Sequence, residues 1–120
     1  MTMKRVGTVL AWLLVAFFAV GSATNIFAPA AIVEDYQRWG YPAWFHYVTG
    51  TLELIACLLL IFPVTRLAGS AIGGGVMAAA LATMLWNSEY AHGLAPLAVL
   101  AFVCINAWMT WRIRTRTARA

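Results

Sequence analysis

The sequence predicts an all-α membrane protein: a four-transmembrane-helix bundle with a short interfacial helix between the first and second spans. Three observations carry this. Hydrophobic residues make up 63% of the chain and mean hydropathy is +0.81, against roughly 45–50% apolar residues in a soluble domain. Only 10% of the 120 residues are charged, too few to cover the surface of so small a water-soluble fold. The apolar residues gather into four segments of about 20 residues, the length that crosses a bilayer as a helix. Backbone in lipid must satisfy its own hydrogen bonds, so the segments are helices, and the chain is too short for a closed barrel.

The first span, at about 6–27, follows Lys4 and Arg5 and stops before Pro29. Its basic start and the small residues Gly21, Ser22 and Ala23 also fit a cleavable signal. The apolar stretch is longer than the roughly 7–15 residues such a signal uses, so a span is preferred. Residues 29–43 are too long for a tight turn. Ile32, Val33, Tyr36 and Trp39 recur there at helical spacing, which predicts the interfacial helix, ended near Gly40 and Pro42. The second span, about 44–62, ends at Pro63 and Arg66. The third, about 67–86, ends at Asn87-Ser88-Glu89, and the fourth, about 93–111, ends at Arg112. Residues 112–120 then read as a frayed basic cytoplasmic tail beside anionic lipid. The whole chain, 1–120, is one membrane domain.

Charge gives the orientation. Lys4, Arg5, Arg66, Arg112, Arg114, Arg116 and Arg119 fall on one side, and only Arg38 on the other. The excess of basic residues places both termini in the cytoplasm and the protein in the cell (inner) membrane. Although the net charge is +4, these charges flank apolar runs, so they are topology signals and no nucleic-acid partner is expected. Tyr36, Trp39, Tyr41, Trp44, Tyr47, Trp86 and Tyr90 cluster on the outer side as an anchoring aromatic belt. Stacking on a bound molecule is the second reading for them.

Helices in lipid associate through close contact at small residues. Gly69 and Gly73 form a GxxxG pair, and Ser70, Gly74, Ala78 and Ala82 make a second row at four-residue spacing. Gly50 adds a gap on the second span. The Gly73-Gly74-Gly75 run lacks the Lys-Ser/Thr of a phosphate loop. The same faces would also suit a homodimer.

Glu53 is the only acid inside a span. Such groups are costly, face the bundle interior and raise a functional suspicion. His46, Gly50, Glu53 and Cys57 follow at i, i+4, i+7 and i+11, on one helix face, with Thr49 beside it. Asn25, Asn87, Glu89 and His92 fall toward the same membrane side. Together they outline a polar pocket opening outward with Glu53 at its base. One reading makes Glu53, Asn25, His46, Thr49 and Asn87 a ligand or proton site, with Glu53 neutral and donating a hydrogen bond. The other makes Glu53 a structural lock bonded to Asn25 or a backbone carbonyl. No third convergent ligand joins His46 and His92, so no metal is expected. Cys57 and Cys104 are read as small hydrophobes, a redox pair being the less favoured reading. Ser22, Ser70 and Ser88 lack any GxSxG setting, so a hydrolytic triad fails on inventory.

The segment Trp39 to Leu54, with Gly40-Tyr41-Pro42, Thr49-Gly50-Thr51-Leu52-Glu53 and the closing Pro63, resembles the DoxX-like family of small four-helix membrane proteins. Arg66-Leu67-Ala68-Gly69 and the Gly/Ala/Met-rich third span are also alike, so the resemblance covers nearly the whole chain. The family's first helix often ends in lysine followed by Leu or Ile; here Asn25-Ile26 stands in that place. A lysine–glutamate ion pair would then be replaced by a neutral Asn25–Glu53 hydrogen bond. The resemblance implies little chemistry. Some relatives are subunits of thiosulfate:quinone oxidoreductase, others accompany membrane redox complexes, and distant ones are endoplasmic-reticulum chaperones or cargo receptors. It therefore implies an accessory or ligand-binding component, with a quinone or other lipophilic ligand and no intrinsic cofactor. The alternatives are a small proton-coupled transporter using Glu53 and a membrane-protein assembly factor.

Overall fold

Three prolines set the helix boundaries. Pro29, Pro42 and Pro63 have no N–H to give, so each ends the hydrogen-bonded run before it. A computed structural model describes residues 2–119. It contains five helices among those residues: α1 (Met3–Phe27), α2 (Ala30–Arg38), α3 (Phe45–Ile61), α4 (Arg66–Trp86) and α5 (Leu94–Arg119). The protein is all-helical. α1, α4 and α5 are long and apolar enough to cross a membrane, whereas α3 is apolar but shorter, at 17 residues. That gives α3 a rise of about 26 Å, a little under a bilayer core of about 30 Å. α1 packs on α3 and α5, and α4 packs on α3 and α5, so the four longer helices close a ring. The end carrying α2 is called upper below.

α2 arises where the sequence placed it. Ile32, Val33, Tyr36 and Trp39 turn toward the bundle, while Glu34, Gln37 and Arg38 face out. A Schellman motif ends it: Gly40 has φ +83°, and the Tyr41 N–H reaches Tyr36 O at 3.0 Å. α4 ends the same way on Ser88, φ 58°, with the Glu89 N–H on Met84 O at 2.8 Å. That turn fixes where Glu89 stands.

α5 corrects one expectation. It does not stop at Arg112 but continues as helix to Arg119. Arginine is a good helix former, and Arg116 and Arg119 in the last turn suit the negative end of the helix dipole. A molecule 52 Å long exceeds a bilayer with headgroups, about 40–45 Å, so helix ends stand clear of the lipid core.

Packing follows the glycines. A Cβ on Gly69 would lie 2.9 Å from the Leu60 backbone N and 3.0 Å from Leu59 Cβ, which places α4 hard against α3. One on Gly73 would lie 2.6 Å from the ring of Phe18, a residue with no exposed surface. Gly50 admits Ile26 and Asn25 of α1 at 2.7 and 3.1 Å. Gly74 is looser, with Val103 Cγ1 at 3.5 Å. The Gly69–Gly73 face is therefore occupied within the chain, and a second copy would have to dock elsewhere. Between these contacts Leu14, Phe18, Ala56, Leu60, Met77 and Val103 form the core.

Buried polar groups tie the ends. Asn106, fully buried, donates from Nδ2 to Gly7 O at 3.0 Å and joins α5 to α1. Pro63 leaves Leu59 O without its helical donor, and Thr65 Oγ1 supplies one at 2.7 Å. Arg66 donates from Nε to Leu60 O at 3.0 Å and from Nη2 to Ile61 O at 3.2 Å. Arg114 donates to Pro63 O and Val64 O at 2.5 and 2.6 Å. Arg66, expected only as a topology charge, is thus a buried cap for α3. The Cys57 thiol sits in the core and donates to Val15 O at 3.5 Å, while Cys104 faces outward, so the two do not pair.

Candidate functional site

The upper end of α1 leaves one carbonyl stranded. Asn25 O would normally accept from the residue four positions on, which is Pro29 and has no N–H. His46 on α3 supplies the donor instead, Nδ1–H to Asn25 O at 2.8 Å. This fixes the ring's tautomer and pins α1 to α3. Gly50, one turn further along α3, lets the two backbones approach.

The Asn25 side chain is then aimed at Glu53. Its Nδ2 donates to Glu53 Oε1 at 2.6 Å and to Gly21 O at 3.0 Å. Its Oδ1 accepts from the Tyr36 phenol at 2.8 Å. Every polar atom of Asn25 that faces the bundle is used, so the amide cannot flip without loss. Glu53 is buried, 3% exposed. Its Oε2 lies against Gly21: a Cβ there would overlap it. The bond from Asn25 leaves that second oxygen for another partner.

Two cavities adjoin here, and Asn25 and Glu53 line only the smaller of them. The smaller, about 170 Å³, reaches from Asp35 and His92 at its mouth past Tyr36 and Asn25 to Glu53. The larger, about 360 Å³, lies between α3 and α4 under a roof of Tyr36, Trp39, Tyr41 and Phe45, with Leu52 and Ile72 among its apolar walls. Tyr36, Trp39, Thr49, Val76 and Ala80 line both. Tyr41 stacks on Phe45, ring centres 4.5 Å apart and 6° from parallel. Thr83 gives its own proton to Ala79 O at 2.8 Å, so the Tyr41 phenol is the donor in their 2.6 Å bond.

These rings correct part of the aromatic-belt expectation. Trp44, Tyr47, Trp86 and Tyr90 face outward, but Tyr36, Trp39 and Tyr41 turn in. The cause is α2, which folds back over the bundle so that its aromatic edge finds polar partners inside. Burial pushes the Tyr36 phenol above its ordinary value.

Glu89 holds α2 down. It accepts from Arg38 Nη2 at 2.7 Å, Arg38 Nε at 3.3 Å and Trp39 Nε1 at 2.6 Å, with His92 Nδ1 at 3.2 Å. Arg38 also bonds Asp35 at 2.9 Å. The Arg38 guanidinium, then the Trp39 N–H, hold the Glu89 carboxyl at about 2 instead of 4.5. A carboxylate held below its ordinary value contributes stability at neutral pH. That hold is complete above 4.5 and is lost as pH falls through about 2. The substitution Glu89→Gln is therefore expected to loosen α2 at neutral pH. A cysteine placed at Ala80, in a Cys57→Ala/Cys104→Ala background, checks this: its labelling by a water-soluble maleimide should rise several-fold.

Of the residues expected in the site, the structure brings Glu53, Asn25 and Thr49 to the cavities. His46 touches Asn25 but lines neither cavity. Asn87 stands apart, donating to Thr83 O at 2.8 Å at the end of its own helix. Gly21 is not among the expected site residues, and Tyr36, Trp39 and Tyr41 enter the expectation only through the second reading of the aromatic belt. The helical spacing of Tyr36 and Trp39 was visible, but only the fold shows which side of α2 is covered. Among the described residues, no three His, Cys, Asp or Glu side chains stand close enough to hold a metal ion.

No curated protein and no solved structure matches the chain. The model of the DoxX-like family matches residues 9–106, a stretch that holds Gly21, Asn25, Glu53 and both cavities. This multi-pass helical membrane protein belongs to the DoxX-like family.

Proposed function

We propose that this protein is an accessory, ligand-binding component of a quinone-linked membrane redox system. In this reading it is a four-span inner-membrane protein with both termini cytoplasmic and its pocket facing outward. The charge asymmetry supports the orientation. α3 supports the fourth span, because a helix slightly shorter than the bilayer core is accommodated by local thinning.

The observation that carries the ligand is the join between an aromatic-roofed apolar cavity and a carboxyl-ended polar one. A flat ring bearing oxygen atoms suits both. Its faces would stack against Tyr41, Phe45 and Trp39, and its oxygens would meet Thr49, Tyr36 or Glu53. An isoprenoid tail would leave between Leu52 and Ile72 toward lipid. Few polar groups set in an apolar pocket is the usual design of a small-molecule site. In this reading the electrons would come from a partner. A proton-coupled exporter would need a polar route beyond Glu53. Phe18, Ala56, Leu60 and Met77 fill that space in the described residues, which favours the binding reading.

The test is native mass spectrometry of gently solubilised protein, with lipid and quinone extraction, for wild type and Glu53→Gln. Glutamine keeps the oxygen that Asn25 bonds, so fold and melting temperature should not change. The wild type is expected to carry an isoprenoid quinone and the variant to lose it. A different lipophilic molecule lost in the variant would keep the pocket and replace the quinone. An empty protein in both cases would make Glu53 a structural lock. A co-purifying membrane protein with no small molecule would favour an assembly factor.

A further inference from the structure

The lower end of the molecule has charge without compensation. Gly7 of α1 packs against Met109 and Ile113 of α5, so the first turns of α1 meet the last turns of α5 there. Lys4, Arg5, Arg112, Arg116 and Arg119 all belong to this end. The four acids of the chain lie elsewhere: Glu34 and Asp35 in α2, Glu53 in α3 and Glu89 in the α4–α5 connection. Arg66 and Arg114, also at this end, are already committed to the carbonyls that close α3. The other five have no ion-pair partner among the described residues.

Two features turn this from a general basic surface into a place. The Arg112 Nε is buried and has no hydrogen-bond partner within the described residues, an expensive state for a charged donor. Its guanidinium lies 5.8 Å from the centre of the Trp108 ring. Arg112 also belongs to an ordered stripe. Phe102, Ile105, Trp108, Arg112 and Arg116 share one face of α5, and the first three are about half exposed. Read downward, the stripe is apolar, then aromatic, then cationic. That is the profile of one lipid molecule, from acyl chain through the interface to headgroup.

We propose that the α1–α5 seam binds an anionic phospholipid, its phosphate held by Arg112 and Arg116 and its chains lying along Phe102 and Ile105. The site is separate from the Glu53 cavities and does not depend on what they bind.

Full-length protein, delipidated in detergent, would be incubated with phosphatidylglycerol or with phosphatidylcholine of identical chains, then examined by native mass spectrometry. The wild type is expected to retain phosphatidylglycerol over phosphatidylcholine on the order of tenfold, an advantage that salt weakens. In Arg112→Gln/Arg116→Gln that preference should vanish, while Arg5→Gln, two residues from Gly7 and so on another face of α1, keeps it. Circular dichroism and the melting temperature confirm that each variant is folded. If the double variant fails to fold, Arg116→Gln alone serves instead, and the preference is expected to fall part of the way. Equal retention of the two lipids by wild type, or an undiminished preference in the folded variant, would overturn the proposal. So would stabilisation by inorganic phosphate equal to that by phosphatidylglycerol, which would assign the site to a free anion.

Discussion

Alanine at Gly73 should destabilise the protein, whereas alanine at the adjacent Gly74 or Gly75 should not. At Gly73 the new methyl meets the Phe18 ring at 2.6 Å. That ring has no exposed surface and packs in the core, so it cannot step aside. At Gly74 the nearest atom is 3.5 Å away, an ordinary contact. At Gly75 nothing lies within 4 Å. Overpacking costs about 1–3 kcal/mol, whereas removing a glycine from a helix interior gains roughly 0.5–1 kcal/mol. Gly73→Ala should therefore lower the melting temperature clearly, whereas Gly74→Ala and Gly75→Ala should both hold or raise it. Gly69→Ala extends the series, since the methyl meets α3 backbone at 2.9 Å and the two helices must separate. It should be at least as damaging as Gly73→Ala. Thermal unfolding in detergent checks all four. Equal effects at the three adjacent positions would mean that α4 does not pack as described. The series has force because lipid supplies no hydrophobic drive between helices, so fit at small residues carries the association.

Gly21→Ala should empty the candidate site while leaving most of the fold intact. The added methyl overlaps Glu53 Oε2 and lies 3.0 Å from its Cδ. The carboxyl must swing away, and its bond from Asn25 at 2.6 Å is then broken. Retention of the bound molecule should fall as far as in Glu53→Gln, on the order of tenfold or more, about 1.4 kcal/mol or greater. Shortening the acid makes room, so Gly21→Ala/Glu53→Asp should lose less than the two single changes combined. Contacting residues couple by about 0.5–3 kcal/mol. Strict additivity would show that Gly21 and Glu53 are not in contact.

Much of the fold was readable because lipid constrains a chain so strongly. Helix boundaries followed prolines and charges, and α2 followed the spacing of Ile32, Tyr36 and Trp39. The end of α5 was misjudged because Arg112 to Arg119 read as solvated charge, although arginine continues a helix as readily as it leaves lipid. The Asn25–Glu53 bond was legible, since both groups had to find partners and the family comparison put them opposite each other. His46 was legible as a polar group on the Glu53 face of the second span, but neither its burial nor its role as the donor that Pro29 makes necessary was. The roof of the pocket was not legible. Whether Tyr36, Trp39 and Tyr41 anchor in lipid or close a cavity depends on the tilt of α2. That tilt is set by Glu89, which stands 50 residues from Trp39 and in a different connection.

The cap on α3 carries a consequence for how the molecule is made. Among the described residues, the carbonyls of Pro63 and Val64 take their side-chain hydrogen bonds from Arg114, 50 residues or more further along the chain. Synthesis runs from the N-terminus, so the α3–α4 hairpin emerges well before its own turn can be completed. Until α5 arrives, water must serve those carbonyls, which keeps the turn at the membrane surface. Closure of the ring by α5 and completion of a turn two helices earlier are thus one event. A chain halted in α5 before Arg114 would hold its first four helices and still lack the finished connection between α3 and α4.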